Sequence, residues 1–174
     1  IKVTDLIEAS YTSAAVVKAL VEKEILEFYF IQIDRVNFKG ETSDFKELNE
    51  YQKTAFGEIK KSFETKDVSL LFGITSSGKT EVYVELIQEV LDKGEQVLYL
   101  LPEIALTTQL IDRLQNYFGE KVAVFHSKYS MNERVEVWNN VLNSKSKAQI
   151  ILGARSSLFL PYSDLGLIIV DEEH

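Results

Sequence analysis

Gly73-Ile74-Thr75-Ser76-Ser77-Gly78-Lys79-Thr80 fits the pattern G-x-x-x-x-G-K-[ST], and Asp171-Glu172-Glu173-His174 closes the chain about ninety residues later. The first string is suited to holding a polyphosphate. Its glycines let the backbone turn tightly, its N–H groups face the anion, Lys79 bridges the β- and γ-phosphates and the Thr80 hydroxyl ligates Mg²⁺. The second string supplies Asp171 to hold that metal through water and Glu172 to polarise the attacking water. Together they are two halves of an ATP-hydrolysing site, in the D-E-x-H spelling of nucleic-acid motors. His174 is the candidate for coupling nucleotide state to strand binding. Chance alone would place the loop in a chain of this length about once in two hundred.

Other residues fall where a ligand would meet them. Gln52 stands some twenty residues ahead of the loop, and its amide can both donate to and accept from an adenine edge. Two segments follow predicted strands on the face where α/β sheets bind ligands, Pro102-Glu103-Ile104-Ala105-Leu106-Thr107 and Gly153-Ala154-Arg155-Ser156-Ser157. Within them Pro102, Glu103, Thr107, Arg155 and Ser156 are the candidate contacts to the phosphates of a single DNA strand. His126 and Ser127 also follow a strand, but as an isolated pair they say little.

These residues need elements to position them. Val68 to Phe72 is a strand-like apolar run directly before the loop, and Thr80 to Leu91 has helical spacing directly after it. Helix N-termini and glycine loops in that order aim backbone donors and a positive dipole end at phosphate. Further strands are expected at Gln96 to Leu101, Lys121 to Phe125, Gln149 to Leu152 and Leu167 to Val170, the last as a buried strand. Helices are expected near Leu48 to Phe63, Thr80 to Asp92, Ala105 to Phe118 and Asn132 to Leu142. Strands alternating with such crossovers form a parallel sheet covered on both faces, so the fold class is α/β with a P-loop lobe over 48–174.

Ahead of the lobe, Thr4 or Asp5 can cap a first short helix and Thr12 or Ser13 a second, whose apolar stripe is Ala15, Val16, Ala19, Leu20 and Ile25. Glu27 to Val36 then reads as strand, which makes 1–38 a small winged-helix-like α+β region. Its recognition helix would be Ser13 to Lys23, whose Lys18 and Lys23 are opposed by Glu22 and Glu24, a weak DNA reader. The polar stretch 39–47 is the candidate linker.

The composition is that of a globular chain: 174 residues, 45% hydrophobic, 26% charged and no cysteine. A net charge of −8 argues against a strongly basic DNA-coating domain but not against a motor with a local strand groove. No apolar run has the length of a membrane span and no signal peptide opens the chain, so a cytoplasmic setting is expected. Ile1 at the start and a catalytic motif at the end suggest a piece of something longer.

GITSSGKTEVY, LLPEIALTTQ, FHS, GARSSLF and IIVDEEH, five blocks in order, resemble the primosomal replication-restart helicase family, that of primosomal protein N′ (PriA). The resemblance implies a RecA-like first motor lobe of a superfamily 2 DNA helicase moving 3′ to 5′, using ATP and Mg²⁺. It implies forked or single-stranded DNA, primosome proteins and single-stranded DNA-binding protein as partners. It assigns Gly73 to Thr80 to the nucleotide, Asp171 and Glu172 to metal and water, and Gln52 to adenine. Two positions depart from the family pattern. Ser76 stands where glycine is frequent, and Ala154 stands where threonine is usual, which removes a possible phosphate contact. The family's cysteine-rich zinc module, second motor lobe and arginine finger lie outside this segment, so the segment alone is expected to be monomeric and to turn over ATP at or near background. A competence-type translocase shares the two main motifs, and a nucleotide-sensing binding module without turnover is the reading from another class.

Overall fold

The computed structural model describes residues 3–26, 42–73, 77–102, 108–125, 131–143 and 148–171. The chain divides into two compact units, Ile1–Ile33 and Asp34–His174.

In the first unit, helix α1 spans Val3–Ala9 and α2 spans Ala14–Glu22. Helix α1 begins ahead of both Thr4 and Asp5. Ser13 has the extended backbone of a helix N-cap, but its side chain makes no capping bond. Val17 is the buried residue of α2, with Leu20 and Val21 half-buried beside it at i+3 and i+4. The expected stripe is therefore turned: Val16 is 46% exposed and Ile25 65%. Apolar residues run almost without interruption from Ala14 to Val21, so periodicity left the buried face open. The strand expected over Glu27 to Val36 lies outside the described residues.

The second unit carries α3 (Glu50–Phe63), α4 (Lys79–Asp92), β1 (Gln96–Leu100), α5 (Thr108–Phe118), β2 (Val122–Phe125), α6 (Met131–Leu142), β3 (Ile150–Gly153) and β4 (Leu165–Val170). Short 3-10 turns occupy Gly119–Lys121 and Arg155–Phe159. The strands form one parallel sheet in the order β2-β3-β1-β4. Side chains alternate across it, as the pleat requires. On one face Val97 and Tyr99 of β1, with Val124, Leu152 and Ile169, pack under Tyr83, Ile87 and Val90 of α4 and Leu114 and Phe118 of α5. On the other, Leu98 and Ile151 meet Val137 and Val141 of α6 and Leu160. Helix α3 leans on α4 through Ile59, Val82 and Leu86.

A buried amide fastens the middle of this sheet. Gln96 is fully buried, donates from Nε2 to the Val141 carbonyl at 2.9 Å, and accepts at Oε1 from the Ser163 and Asp164 amides at 2.9 and 3.2 Å. One side chain thus ties β1 to α6 and to the turn before β4.

Two expectations need correction. Val68 to Phe72 joins no ladder: Val68, Leu70 and Phe72 are 81%, 74% and 92% exposed. A strand is held by cross-strand bonds and side-chain burial; this segment lacks the bonds and anchors only Leu71 against the core, with an open cleft between it and β4. Strand β4, expected to be buried, is an edge strand: Ile168 and Val170 are 47% and 56% exposed, and Ile169 alone is buried. The polar stretch expected as a linker is pinned over its described part. The Ser43 amide donates to the Asn116 carbonyl at 2.7 Å, and the Phe45 ring lies 5.5 Å from those of Tyr117 and Phe118.

Candidate functional site

Register brings the strand ends into line. Leu100 pairs with Gly153 and with Val170, and Gly153 with Phe125, so all four strands finish together. The described main chain continues past β1, β3 and β4 at that end of the sheet through Leu101, Ala154 and Asp171. The Leu101 amide donates to the Gly153 carbonyl and the Asp171 amide to the Leu100 carbonyl, both at 3.0 Å. Asp171 is thereby fixed by backbone bonding to the central strand.

Helix α4 starts at that end. Its N-cap is Gly78 with φ of 82°, in the left-handed region where glycine carries no Cβ penalty. A side chain there would also collide with Gln52, since an added Cβ would lie 2.4 Å from Nε2. The Gln52 amide is held at both ends. Oε1 accepts from the Asn49 amide at 2.9 Å, in a capping box whose other half is Asn49 Oδ1 accepting from the Gln52 amide at 3.0 Å. Nε2 donates to the Gly78 carbonyl at 3.1 Å. Gln52 is therefore a strap from the start of α3 to the end of the P-loop. Its amide still retains one N–H and one lone pair for an adenine edge.

Lys79, the first residue of α4, is half-buried and donates from Nζ to the Gly73 carbonyl at 2.7 Å, arching across the loop. Gly73, Ser77, Gly78, Lys79 and Thr80 line a cleft of about 1860 Å³ together with Glu81, Tyr83, Arg113 and Asp171. A hydroxyl and a carboxylate on one cleft are hard oxygen donors of the kind Mg²⁺ takes alongside phosphates and water. The donor set fits that metal. Among the described residues no group of three or more His, Cys, Asp or Glu forms a further metal cluster.

Three features here are absent from the sequence reading. Glu81 pairs with Arg113 of α5, and its Oε2 is buried without a partner. The fully buried Tyr99 donates its hydroxyl to Asp171 Oδ2 at 2.9 Å. Tyr83 meets Tyr99 edge to face, with centroids 5.9 Å apart. Burial, and then the Asp171 charge, push the Tyr83 hydroxyl up to about 12 and hold that of Tyr99 well above the usual tyrosine range. A hydroxyl inside the apolar run of β1 was the available signal, because a buried tyrosine oxygen nearly always has a partner.

Of the remaining candidates, Pro102 follows β1 half-buried, and Arg155 and Ser156 lie exposed in the turn after β3. That turn is compact because Gly153 lacks a side chain: an added Cβ would sit 1.8 Å from Ser157 Oγ and 3.0 Å from the Phe125 carbonyl. Ile74, Thr75, Ser76, Glu103, Thr107, His126, Ser127, Glu172 and His174 lie outside the described residues.

Residues 45–174 match the family described as type III restriction enzyme, res subunit. The whole chain is similar to the replication restart protein PriA of Bacillus subtilis, 36% identical over 179 residues that make up 22% of that protein. It is 40% identical over 176 residues to the namesake from Synechocystis, covering 98% of this chain and 20% of the relative. The Chlamydia trachomatis protein of that name is 38% identical over 175 residues, again 98% of this chain and 23% of the relative. The chain thus spans about a fifth of the length of these curated relatives.

Proposed function

From the premise that the chain belongs to the family described as type III restriction enzyme, res subunit, we propose that it is the nucleotide-binding lobe of an ATP-driven 3′-to-5′ DNA helicase acting in replication restart. The observation that carries this reading is the meeting of Lys79 and Thr80, at the start of α4, with Asp171, at the end of β4, on one cleft of a parallel sheet. The RecA-like character of that sheet and the likeness to replication restart proteins support it.

In this reading the loop amides and Lys79 bind the phosphates. Lys79 exchanges its bond to the Gly73 carbonyl for phosphate oxygens, so nucleotide replaces an internal contact already in place. Ile74, Thr75, Ser76 and Ser77 supply backbone donors. Thr80 and Asp171 hold Mg²⁺, which when bound neutralises charge on the transferred phosphoryl group. Glu172, the next residue along the chain, accepts the proton of the attacking water. Gln52 keeps the loop attached to α3 and offers its spare donor and acceptor to adenine. Pro102, Glu103, Thr107, Arg155 and Ser156 take the phosphates of a DNA strand at the same sheet end, and His174 links the two ligands. The partners are forked or single-stranded DNA, primosome proteins and single-stranded DNA-binding protein, in the cytoplasm. Residues 1–38 contribute part of a winged-helix-like module. Among the described residues no helix is long and apolar enough to cross a membrane.

Nucleotide-linked melting tests the core of the proposal. At Mg-ATP about a hundredfold above its Kd the protein gains about 2.7 kcal/mol, and Lys79→Ala should lose that shift while keeping its ligand-free melting point. In the full-length protein Glu172→Gln should keep the shift and lose DNA-stimulated hydrolysis, whereas Asp171→Asn should weaken the shift only when Mg²⁺ is present. A Lys79→Ala variant with the wild-type shift overturns the site. A Glu172→Gln variant with wild-type hydrolysis moves the base elsewhere.

A further inference from the structure

We propose that Tyr99 is a positioning residue for Asp171, setting the orientation of the carboxylate that faces Mg²⁺; the proposal rests on the reading of Asp171 as that carboxylate. Asp171 is attached to β1 at two points. Its amide donates to the Leu100 carbonyl, and its Oδ2 accepts from the hydroxyl of the adjacent Tyr99 at 2.9 Å. The first bond fixes where the residue leaves the sheet. The second fixes the rotation of the side chain about its two free torsions. One carboxylate oxygen is therefore committed to the phenol, and the carboxyl group reaches the metal with a defined face.

The phenol itself is held rigidly. Tyr99 is fully buried in the central strand and its ring stands edge-on to that of Tyr83, with an interplanar angle of 85°. Tyr83 belongs to α4, three residues after Thr80. A continuous contact thus runs from the helix that carries the hydroxyl ligand, through two aromatic rings, to the carboxylate at the end of β4. Like any phenol, the Tyr99 hydroxyl is protonated throughout the neutral range, and it stands as the donor to Asp171 Oδ2. Packing alone does not call for that oxygen, because phenylalanine would fill the same volume between α4 and the sheet. What the hydroxyl adds is a charge-assisted bond to a group of the site, the stronger class of hydrogen bond.

The test reads metal dependence rather than turnover. Binding of a fluorescent ATP analogue is titrated with Mg²⁺ in the wild-type protein, Tyr99→Phe and Tyr117→Phe. Tyr99→Phe should raise the half-saturating Mg²⁺ concentration about ten- to a hundredfold, the range expected for losing a hydrogen bond to a charged group. Its analogue affinity without Mg²⁺ should stay at the wild-type value, and Tyr117→Phe, whose ring packs on Phe45 away from the cleft, should leave the Mg²⁺ midpoint in place. In an Asp171→Asn background, Tyr99→Phe should change nothing further, because the two residues act as a unit. An unchanged Mg²⁺ midpoint in folded Tyr99→Phe, or an equal shift with and without Asp171, overturns the proposal. If Tyr99→Phe does not fold, the ¹³C-labelled tyrosine Cζ resonance of Tyr99 in the wild-type protein decides the matter. It must move when Mg²⁺ joins bound nucleotide, and a fixed resonance rejects the coupling. A wild-type protein whose nucleotide binding ignores Mg²⁺ removes the underlying site reading instead, a separate and recognisable result.

Discussion

Strand β3 is closed to solvent at every residue and β1 at all but Leu100, whereas β4, one ladder away, leaves Leu165, Ile168 and Val170 between 37% and 56% exposed. All three strands are apolar runs of similar length. The difference is in their neighbours. Leu98 and Ile151 are roofed by Val137, Val141 and Leu160, and the described residues place no such roof over Ile168. Apolar content measures a segment's capacity to be buried, and only the surrounding elements decide how much of that capacity is used. The same contrast separates the two sides of the site. Asp171 is bound to the central strand on one side, while the exposed segment 68–72 leads into the P-loop on the other.

Truncating one isoleucine on each side should expose this asymmetry most clearly. Ile151→Ala removes a fully buried side chain from the centre and should cost about 2–5 kcal/mol. Ile168→Ala, half-exposed on β4, should cost under about 1 kcal/mol. Chemical denaturation of both variants checks the pair, and equal losses would mean that the outer face of β4 is covered in solution.

Alkali should act wherever a tyrosine hydroxyl is buried. The Tyr83 hydroxyl keeps its proton up to about 12 in the folded state against 10.0 in the unfolded chain, with Tyr99 displaced in the same direction. The folded state then binds more protons than the unfolded one across that interval. This contribution is fully present below about pH 10 and disappears as the pH climbs towards 12. Melting curves between pH 8 and 11.5 should fall steeply in the wild-type protein and less steeply in Tyr83→Phe. Parallel curves for the two would remove Tyr83 from the account.

The smallest effect should have the opposite sign. Gly57 lies within α3 with nothing inside 4 Å of where a Cβ would stand. Gly57→Ala should therefore stabilise the protein by about 0.5–1 kcal/mol, by adding helix propensity without a clash. Gly78→Ala, placed at φ 82° against Gln52, should destabilise and weaken nucleotide binding. A Gly57→Ala variant that melts lower than wild type would show a contact on that face of α3.

Local pattern made much of this legible. The helix after the glycine motif and the four paired strands follow from glycine spacing and apolar runs, with ends displaced by a residue or two where turns fray. The capping box at Asn49 and Gln52 is written three residues apart, yet its glutamine has the chemistry of a ligand as well as of a cap, and composition cannot choose between them. Phe45 turns a polar stretch into an anchored one by finding Tyr117 and Phe118 some seventy residues away. The pairing of Tyr99 with Asp171 and the three-way clasp of Gln96 are likewise meetings of residues far apart in sequence. No window of neighbouring residues contains them, because they exist only once the sheet has closed.

That clasp also sets an order of events at the ribosome. Strand β1 leaves the exit tunnel before either of its sheet neighbours, for Val97 pairs with Ile150 about 50 residues later and with Leu167 about 70 residues later. At synthesis rates of about 5–20 residues per second the central strand waits several seconds for its partners. Throughout that interval its apolar edge and the Gln96 amide face water or whatever binds nascent chains. Helix α4, whose backbone bonds are all local, needs no such delay. The nascent segment from Gln96 to Leu101 is therefore where a chaperone should be found holding this chain.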